Sequence, residues 1–155
     1  MTEASHPAVV KLVAYYERAA RNMQGMPMYH DALSVEAVGF REHQARLVGA
    51  IVTPWFMNLT VLPSPADLDT WRPGSMARVS FPSGQYEFAI GDAGENGLVA
   101  SRSLFSLMHD FADHAAAREA ALAATDALFE PPAPPDGIPP RPSAVMSRRR
   151  FLRGG

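Results

Sequence analysis

The run His109-Asp110-Phe111-Ala112-Asp113-His114 holds the highest density of metal-binding side-chain types in the chain. On a helix, His109 and Asp113 would stand at i and i+4, a spacing that can hold a metal ion from one face, with a third ligand drawn from His30-Asp31 or His43. The competing reading places them on the wet side of an amphipathic helix, because Met108, Phe111 and Ala115 define its other side. We take the second reading, since no single stretch supplies a complete ligand set. Gly-rich phosphate loops, a Gly-x-Ser-x-Gly elbow and His-Glu-x-x-His are absent. The 155 residues include no cysteine, which removes thiol nucleophiles, disulfide frameworks, zinc ribbons and iron–sulfur ligation. No catalytic residue, metal ligand or cofactor is assigned, and the expected chemistry is binding.

Two stretches carry binding chemistry. Ser147-Arg148-Arg149-Arg150-Phe151-Leu152-Arg153 reproduces the twin-arginine export pattern, Ser-Arg-Arg-x-Phe-Leu followed by a base. A working export signal stands at an N-terminus and runs on into an apolar stretch, whereas Gly154-Gly155 follow here, so this copy is not expected to direct export. It is an accident, a mimic of such a signal, or a basic tail that touches acidic surfaces, RNA or anionic lipid without specificity. The second stretch is Pro54-Trp55-Phe56-Met57-Asn58-Leu59. In a strand these large apolar side chains cannot all face one core, because alternate residues point to opposite faces. Either both faces are covered or some of them line an exposed groove.

Charge separates the chain into unlike parts. The net charge of -2 averages residues 1–130, with 15 acids and 9 bases, against residues 131–155, with one acid and five arginines. Lys11 is the sole lysine, so a single arginine means little, but five within the last 15 residues form a cluster. No apolar run approaches the roughly 20 residues needed to cross a bilayer, and the first residues lack the layout of a signal peptide. The expectation is a soluble, cytoplasmic protein with no stable membrane insertion.

The elements that must position these residues follow from periodicity. Pro7 suits the first turn of a helix capped by Ser5 or His6, with Val9, Leu12, Val13, Tyr16, Ala20 and Met23 on one face and Gly25 and Pro27 as its stop. Leu33 to Val38 reads as a short strand ended by Gly39, and Ala45 to Val52 and Met57 to Leu62 as two more, joined tightly at Thr53-Pro54. A loop from Pro63 to Gly74 carries Asp67, Asp69 and Trp71. Ser75–Phe81 and Gln85–Ile90 flank the turn Pro82-Ser83-Gly84, and Leu98–Ser101 is a last strand. From Ser106 the spacing of Met108, Phe111, Ala115, Leu122 and Phe129 predicts a long helix, with Asp110 and Asp113 in its first turns. Seven of the twelve residues Pro131 to Pro142 are proline, which favours a stiff extended linker. The predicted architecture is α+β: a domain of helix, antiparallel β-meander and long helix over 1–130, a linker over 131–146 and a basic tail over 147–155.

Five stretches in order resemble the [NiFe]-hydrogenase assembly chaperones of the HybE/HupJ family. They are Met23-Gln24-Gly25-Met26-Pro27, Val35 to Phe40, Thr53 to Leu59, Phe81 to Phe88, and Ser103-Leu104-Phe105-Ser106 with Phe111-Ala112-Asp113. His30-Asp31 stands where Asn-Pro is expected, and Leu107 where a proline is usual. Some relatives carry a fused rubredoxin, which needs cysteines that this chain lacks.

The resemblance implies a small non-catalytic α+β chaperone. Its expected partner is a [NiFe]-hydrogenase subunit precursor, the small subunit with its twin-arginine signal being favoured, along with other hydrogenase assembly proteins and no nucleic acid. The tail would then copy the motif of the client. An acidic body with an apolar groove suits a peptide reading Arg-Arg-x-Phe-Leu, with carboxylates taking guanidinium forks and aromatic residues taking Phe and Leu. The expected carboxylates are Glu36 and Glu87, with Asp67, Asp69, Asp92 and Glu95 as weaker choices. The expected apolar and polar contacts are Trp55, Phe56, Met57, Asn58, Phe81, Tyr86 and Phe105.

Overall fold

A computed structural model of the chain describes residues 6–94 and 97–131. The linker and tail read at 132–155, and Glu95, lie outside the described residues. Helix α1 (Pro7–Met23) opens with proline at its first position, where a missing N–H costs nothing, and the Nδ1 of His6 accepts from the amide of Ala8. Six strands follow: β1 (Glu36–His43), β2 (Arg46–Val52), β3 (Met57–Leu62), β4 (Met76–Phe81), β5 (Gly84–Asp92) and β6 (Leu98–Phe105). Helix α2 (His114–Leu128) closes the fold.

All strand pairs are antiparallel, in the order β1-β2-β3-β6-β5-β4. The meander is thus two three-stranded meanders, joined where β3 pairs with β6, and the segment between β3 and β4 carries a 3₁₀ turn at Ala66–Asp69. The hairpin β1–β2 turns at Gln44 and Ala45, both at positive φ, so the strand expected to begin at Ala45 begins at Arg46.

Both faces of the sheet are covered, which accounts for Phe56 and Met57. On one face Val48, Val52, Met57, Leu59, Phe88 and Ile90 pack against Ala117, Ala121, Ala124 and Leu128 of α2. On the other, Val9 and Leu12 of α1 meet Phe40, Ile51, Leu62 and Val99, with Phe56 against this second cluster. Met57 and Phe56 therefore point to opposite cores, as strand alternation requires.

Three expectations need correction. The strand expected to end at Gly39 runs on through it to His43, because Gly39 sits at φ +69° in a register shift between Val38 and Arg41, beneath Thr125 of α2. A Cβ there would lie 2.6 Å from Thr125 Oγ1. The last strand continues past Ser101 to Phe105, since Ser101, Arg102 and Ser103 pair with β3. The long helix begins at His114, not at Ser106: Met108–Asp110 is a separate 3₁₀ turn, and Asp113 caps α2 by accepting from the amide of Ala116. Its buried face is mostly alanine, with Thr125 and Leu128, and Leu122, expected inside, is 40% exposed.

The sheet curls until its outer strands meet. The Nε2–H of His43, last in β1, donates to the carbonyl of Ser80 in β4 at 2.9 Å. The His43 ring stacks on Phe81 with centroids 5.0 Å apart, and Phe129 packs edge-on against both. The amide of Ser83 donates to the carbonyl of Leu128, so the turn between β4 and β5 caps the C-terminal end of α2.

Candidate functional site

Four of the five motif stretches converge at the N-terminal end of α2. The loop after α1 lies against the segment between β6 and α2: His109 Nε2–H donates to the carbonyl of Pro27 at 2.9 Å, and His30 Nε2–H to that of Phe111 at 2.8 Å. The two imidazole rings are 4.9 Å apart. The amide of Ser34 donates to His114 Nδ1, so the Nε2 of His114 carries the proton that it gives to Glu36 at 2.7 Å. The β2–β3 turn joins them through the amide of His30, which donates to the carbonyl of Pro54.

That turn is built around Thr53. Its backbone N–H and its hydroxyl both donate to the carbonyl of Phe56, and its Oγ1 accepts from the amides of Trp55 and Phe56. The buried hydroxyl holds Trp55 half out of the core, stacked near-parallel on Tyr29 with centroids 6.3 Å apart. Phe56 turns inward against Tyr16. Phe105, half-buried, packs edge-on against Phe111. Around this frame Met26 and Met28 are each 43% exposed and Leu107 is 71% exposed. The exposed carboxylates of Asp31 and Asp110 flank the same two loops, and neither forms an ion pair among the described residues.

The expected contact residues divide between this surface and the interior. Trp55 and Phe105 border it. Met57 is fully buried and Phe81 is 7% exposed, both within the core under α2. Asn58 is half-buried on β3, paired with Ile51 and Ser103. Glu36 lies beside the surface, but it accepts from His114 and from the Nε–H of Arg118, joining β1 to α2. Tyr86 and Glu87 stand elsewhere, on β5. The Tyr86 hydroxyl meets Ser83 Oγ at 2.6 Å, and Glu87 pairs with Arg78 across two strands.

The weaker carboxylates also divide. Asp67 is 6% exposed and receives a two-bond fork from Arg46 at 2.7 and 2.8 Å, besides the amide and hydroxyl of Ser64. The hydrogen bonds from Arg46 hold its carboxyl down to about 2, outweighing the opposite push of burial. Asp92 accepts from the amide of Gly94, and Asp69 is exposed in the 3₁₀ turn.

The helical spacing proposed for a metal is not realised. His109 and Asp113 are not one turn apart on a helix, because Asp113 is the cap of α2 and His109 belongs to the preceding turn. His43 is occupied at the far edge contact. Among the described residues, no group of three His, Cys, Asp or Glu side chains is placed to hold a metal ion. Periodicity did not reveal Met26, Met28 and Leu107 as a shared surface. Their signal is the exposure of large apolar side chains on two loops far apart in sequence.

The family model for [NiFe]-hydrogenase assembly chaperone HybE matches residues 8–154, a span that takes in the proline-rich stretch and the arginine cluster. The hydrogenase expression/formation protein HupJ of Bradyrhizobium diazoefficiens is 46% identical over 143 residues, covering 91% of this chain and 83% of that one. The hydrogenase expression/formation protein HupT of Azotobacter chroococcum is 37% identical over 141 residues, covering 90% and 91%. The solution structure of HybE from Escherichia coli superposes with a TM-score of 0.63 at 18% identity, covering 86% of this chain and 85% of that one, which establishes a shared fold. With the family match spanning nearly the whole length and both relatives covered over more than four fifths of theirs, the chain belongs to the HybE family of [NiFe]-hydrogenase assembly chaperones.

Proposed function

We propose that this chaperone works by non-catalytic binding in the cytoplasm, holding the small-subunit precursor of a [NiFe] hydrogenase by its twin-arginine signal before export. The observation that carries the reading is the sequence Ser147 to Arg153, a copy of the client's motif within a family member whose residues 1–130 carry an excess of acid. The exposed Met26, Met28 and Leu107 offer the apolar part of a receptor, and methionine adapts to varied partners. Asp31 and Asp110 offer the acidic part.

In this reading the tail is a placeholder. Tethered through the proline-rich stretch, it competes at an effective concentration in the millimolar range and yields to a client that makes further contacts. Other hydrogenase assembly proteins are the second class of partner, reached through the same basic tail.

Co-purification of the full chain from hydrogenase-expressing cells tests the first claim. Small-subunit precursor should be retained, and removal of its twin-arginine segment should abolish retention. Capture of the large subunit alone would overturn the assignment. For the second claim, a chain lacking residues 147–155 should bind the client signal peptide more tightly, and unchanged affinity would reject the placeholder.

A further inference from the structure

We infer that the surface at the N-terminal end of α2 is the seat of this chain's own residues 148–153, with Arg148 to Arg150 directed to Asp31 and Asp110 and with Phe151 and Leu152 laid on Met28 and Leu107. The inference rests on the placeholder reading and adds where on the body the tail sits.

Charge and apolar character match in kind. The surface pairs two exposed carboxylates free of ion pairs among the described residues with three exposed apolar side chains. Asp31 adjoins His30 and Asp110 adjoins His109, and those two rings lie 4.9 Å apart, so both carboxylates belong to the two loops that the histidines hold together. Arg118, the basic side chain in the first turns of α2, is already bound to Glu36 and leaves their charge in place. The tail carries the complement: three consecutive arginines followed by Phe and Leu. Paired guanidinium–carboxylate contacts beside a buried aromatic are a common way of anchoring a basic peptide.

The second argument is reach. Helix α2 separates the two places: its 15 residues span about 22 Å from His114, beside the surface, to Leu128. Pro131 follows at the far end, and the 17 residues from there to Arg148 can cover about 50 Å as an extended proline-rich chain. The tether therefore returns along the helix with length to spare. Three other carboxylates of the body are already beside a base. Glu36 and Asp67 are held by Arg118 and Arg46, and Glu87 lies on an open strand beside Arg78.

The absence of cysteine allows a direct test on the isolated full chain, without any client, so its failure would leave the hydrogenase assignment standing. Leu107→Cys with Gly154→Cys should form an intrachain disulfide under mild oxidation at least tenfold faster than Met76→Cys with Gly154→Cys, whose strand residue is also exposed. Met28→Cys with Gly154→Cys is the second pair, should Leu107→Cys disturb the loop. Adding Asp31→Asn and Asp110→Asn, or Arg148→Glu and Arg149→Glu, should bring the rate down to that of the Met76 control. Equal rates at the control, concentration-dependent dimers in place of the intrachain product, or indifference to the charge changes would each overturn the inference.

Discussion

His43 Nε2–H donates to the carbonyl of Ser80, and this one bond bridges the two outer strands of a six-stranded sheet. A carbonyl can only accept, so the contact also places the proton of His43 on Nε2. Ring stacking on Phe81 and the edge of Phe129 surround the bond, and the guanidinium of Arg41 lies 4.2 Å from the Phe129 ring centroid. An open edge strand is a template for unwanted pairing, and here β1 and β4 blunt one another.

Replacing His43 with alanine removes the bond and the stacked ring together. We expect a loss of about 2 kcal/mol in urea unfolding, the sum of a hydrogen bond and an aromatic contact. Amide exchange in β4 should quicken more than in β2. Uniform acceleration across the sheet would mean that the bridge does not close this edge.

Acid should expose the Arg46–Asp67 pair. Asp67 titrates at about 2 in the folded protein against an ordinary value of 3.8. A depressed carboxylate contributes stability that is complete above its unfolded value and lost as pH falls through the folded one. The contribution is roughly 2 kcal/mol, lost between about pH 4 and pH 2. Asp67→Asn should be less stable at neutral pH and should lack this component of the acid slope. Parallel pH profiles for the two proteins would refute the assignment.

Gly39→Ala combines an unfavourable left-handed backbone with a collision against Thr125 Oγ1. The expected cost is about 2–4 kcal/mol by denaturation. Thr125→Ala in the same chain should relieve the collision and leave the backbone term, so the double substitution should recover part of the loss. Gly49→Ala should be comparably harmful, because its Cβ would fall 2.8 Å from the backbone Cα of Phe40 as well as into that ring. Simple additivity of Gly39→Ala and Thr125→Ala would show that the two groups do not meet.

The exposed apolar surface makes the opposite forecast. Leu107→Ser and Met28→Ser should change stability by no more than about 0.5 kcal/mol, as exposed loop positions do. Affinity for the client signal peptide should nevertheless fall at least tenfold, read by calorimetric titration. Trp55 fluorescence offers a second readout, since its ring is half-buried beside the same loops. Intact affinity with unchanged stability would move the client site elsewhere on the body.

Much of the fold was legible because it depends on local chemistry. Strand β3 was read at its true bounds, since Thr53-Pro54 and Pro63 punctuate a run of β-branched and apolar residues. Helix α1 was legible from Pro7 and from the spacing of Val9 and Leu12. The start of α2 is not legible, because Met108 and Phe111 fall on helical spacing by accident of their loop, and because the capping role of Asp113 appears only once the amide of Ala116 is there to donate to it. Leu122 was misplaced for a related reason. Bulky side chains mark a core face by default, yet α2 turns Ala117, Ala121, Ala124, Thr125 and Leu128 to the sheet and leaves Leu122 outside.

By itself, then, the sequence determined an α+β body, an acidic balance, the absence of cysteine chemistry and a tail that copies an export motif. The first three follow from composition or from periods of two and 3.6 residues, the last from residue types at fixed spacing. Tertiary structure alone decided which charges were free. Glu36 and Asp67 are carboxylates like Asp31 and Asp110 in the sequence, but Arg118 and Arg46 arrive from 82 and 21 residues away to neutralise the first two. The convergence of Met26, Met28, Trp55 and Leu107 has the same origin, because a surface assembled from separate loops has no period and is made only when His30 and His109 bring those loops together.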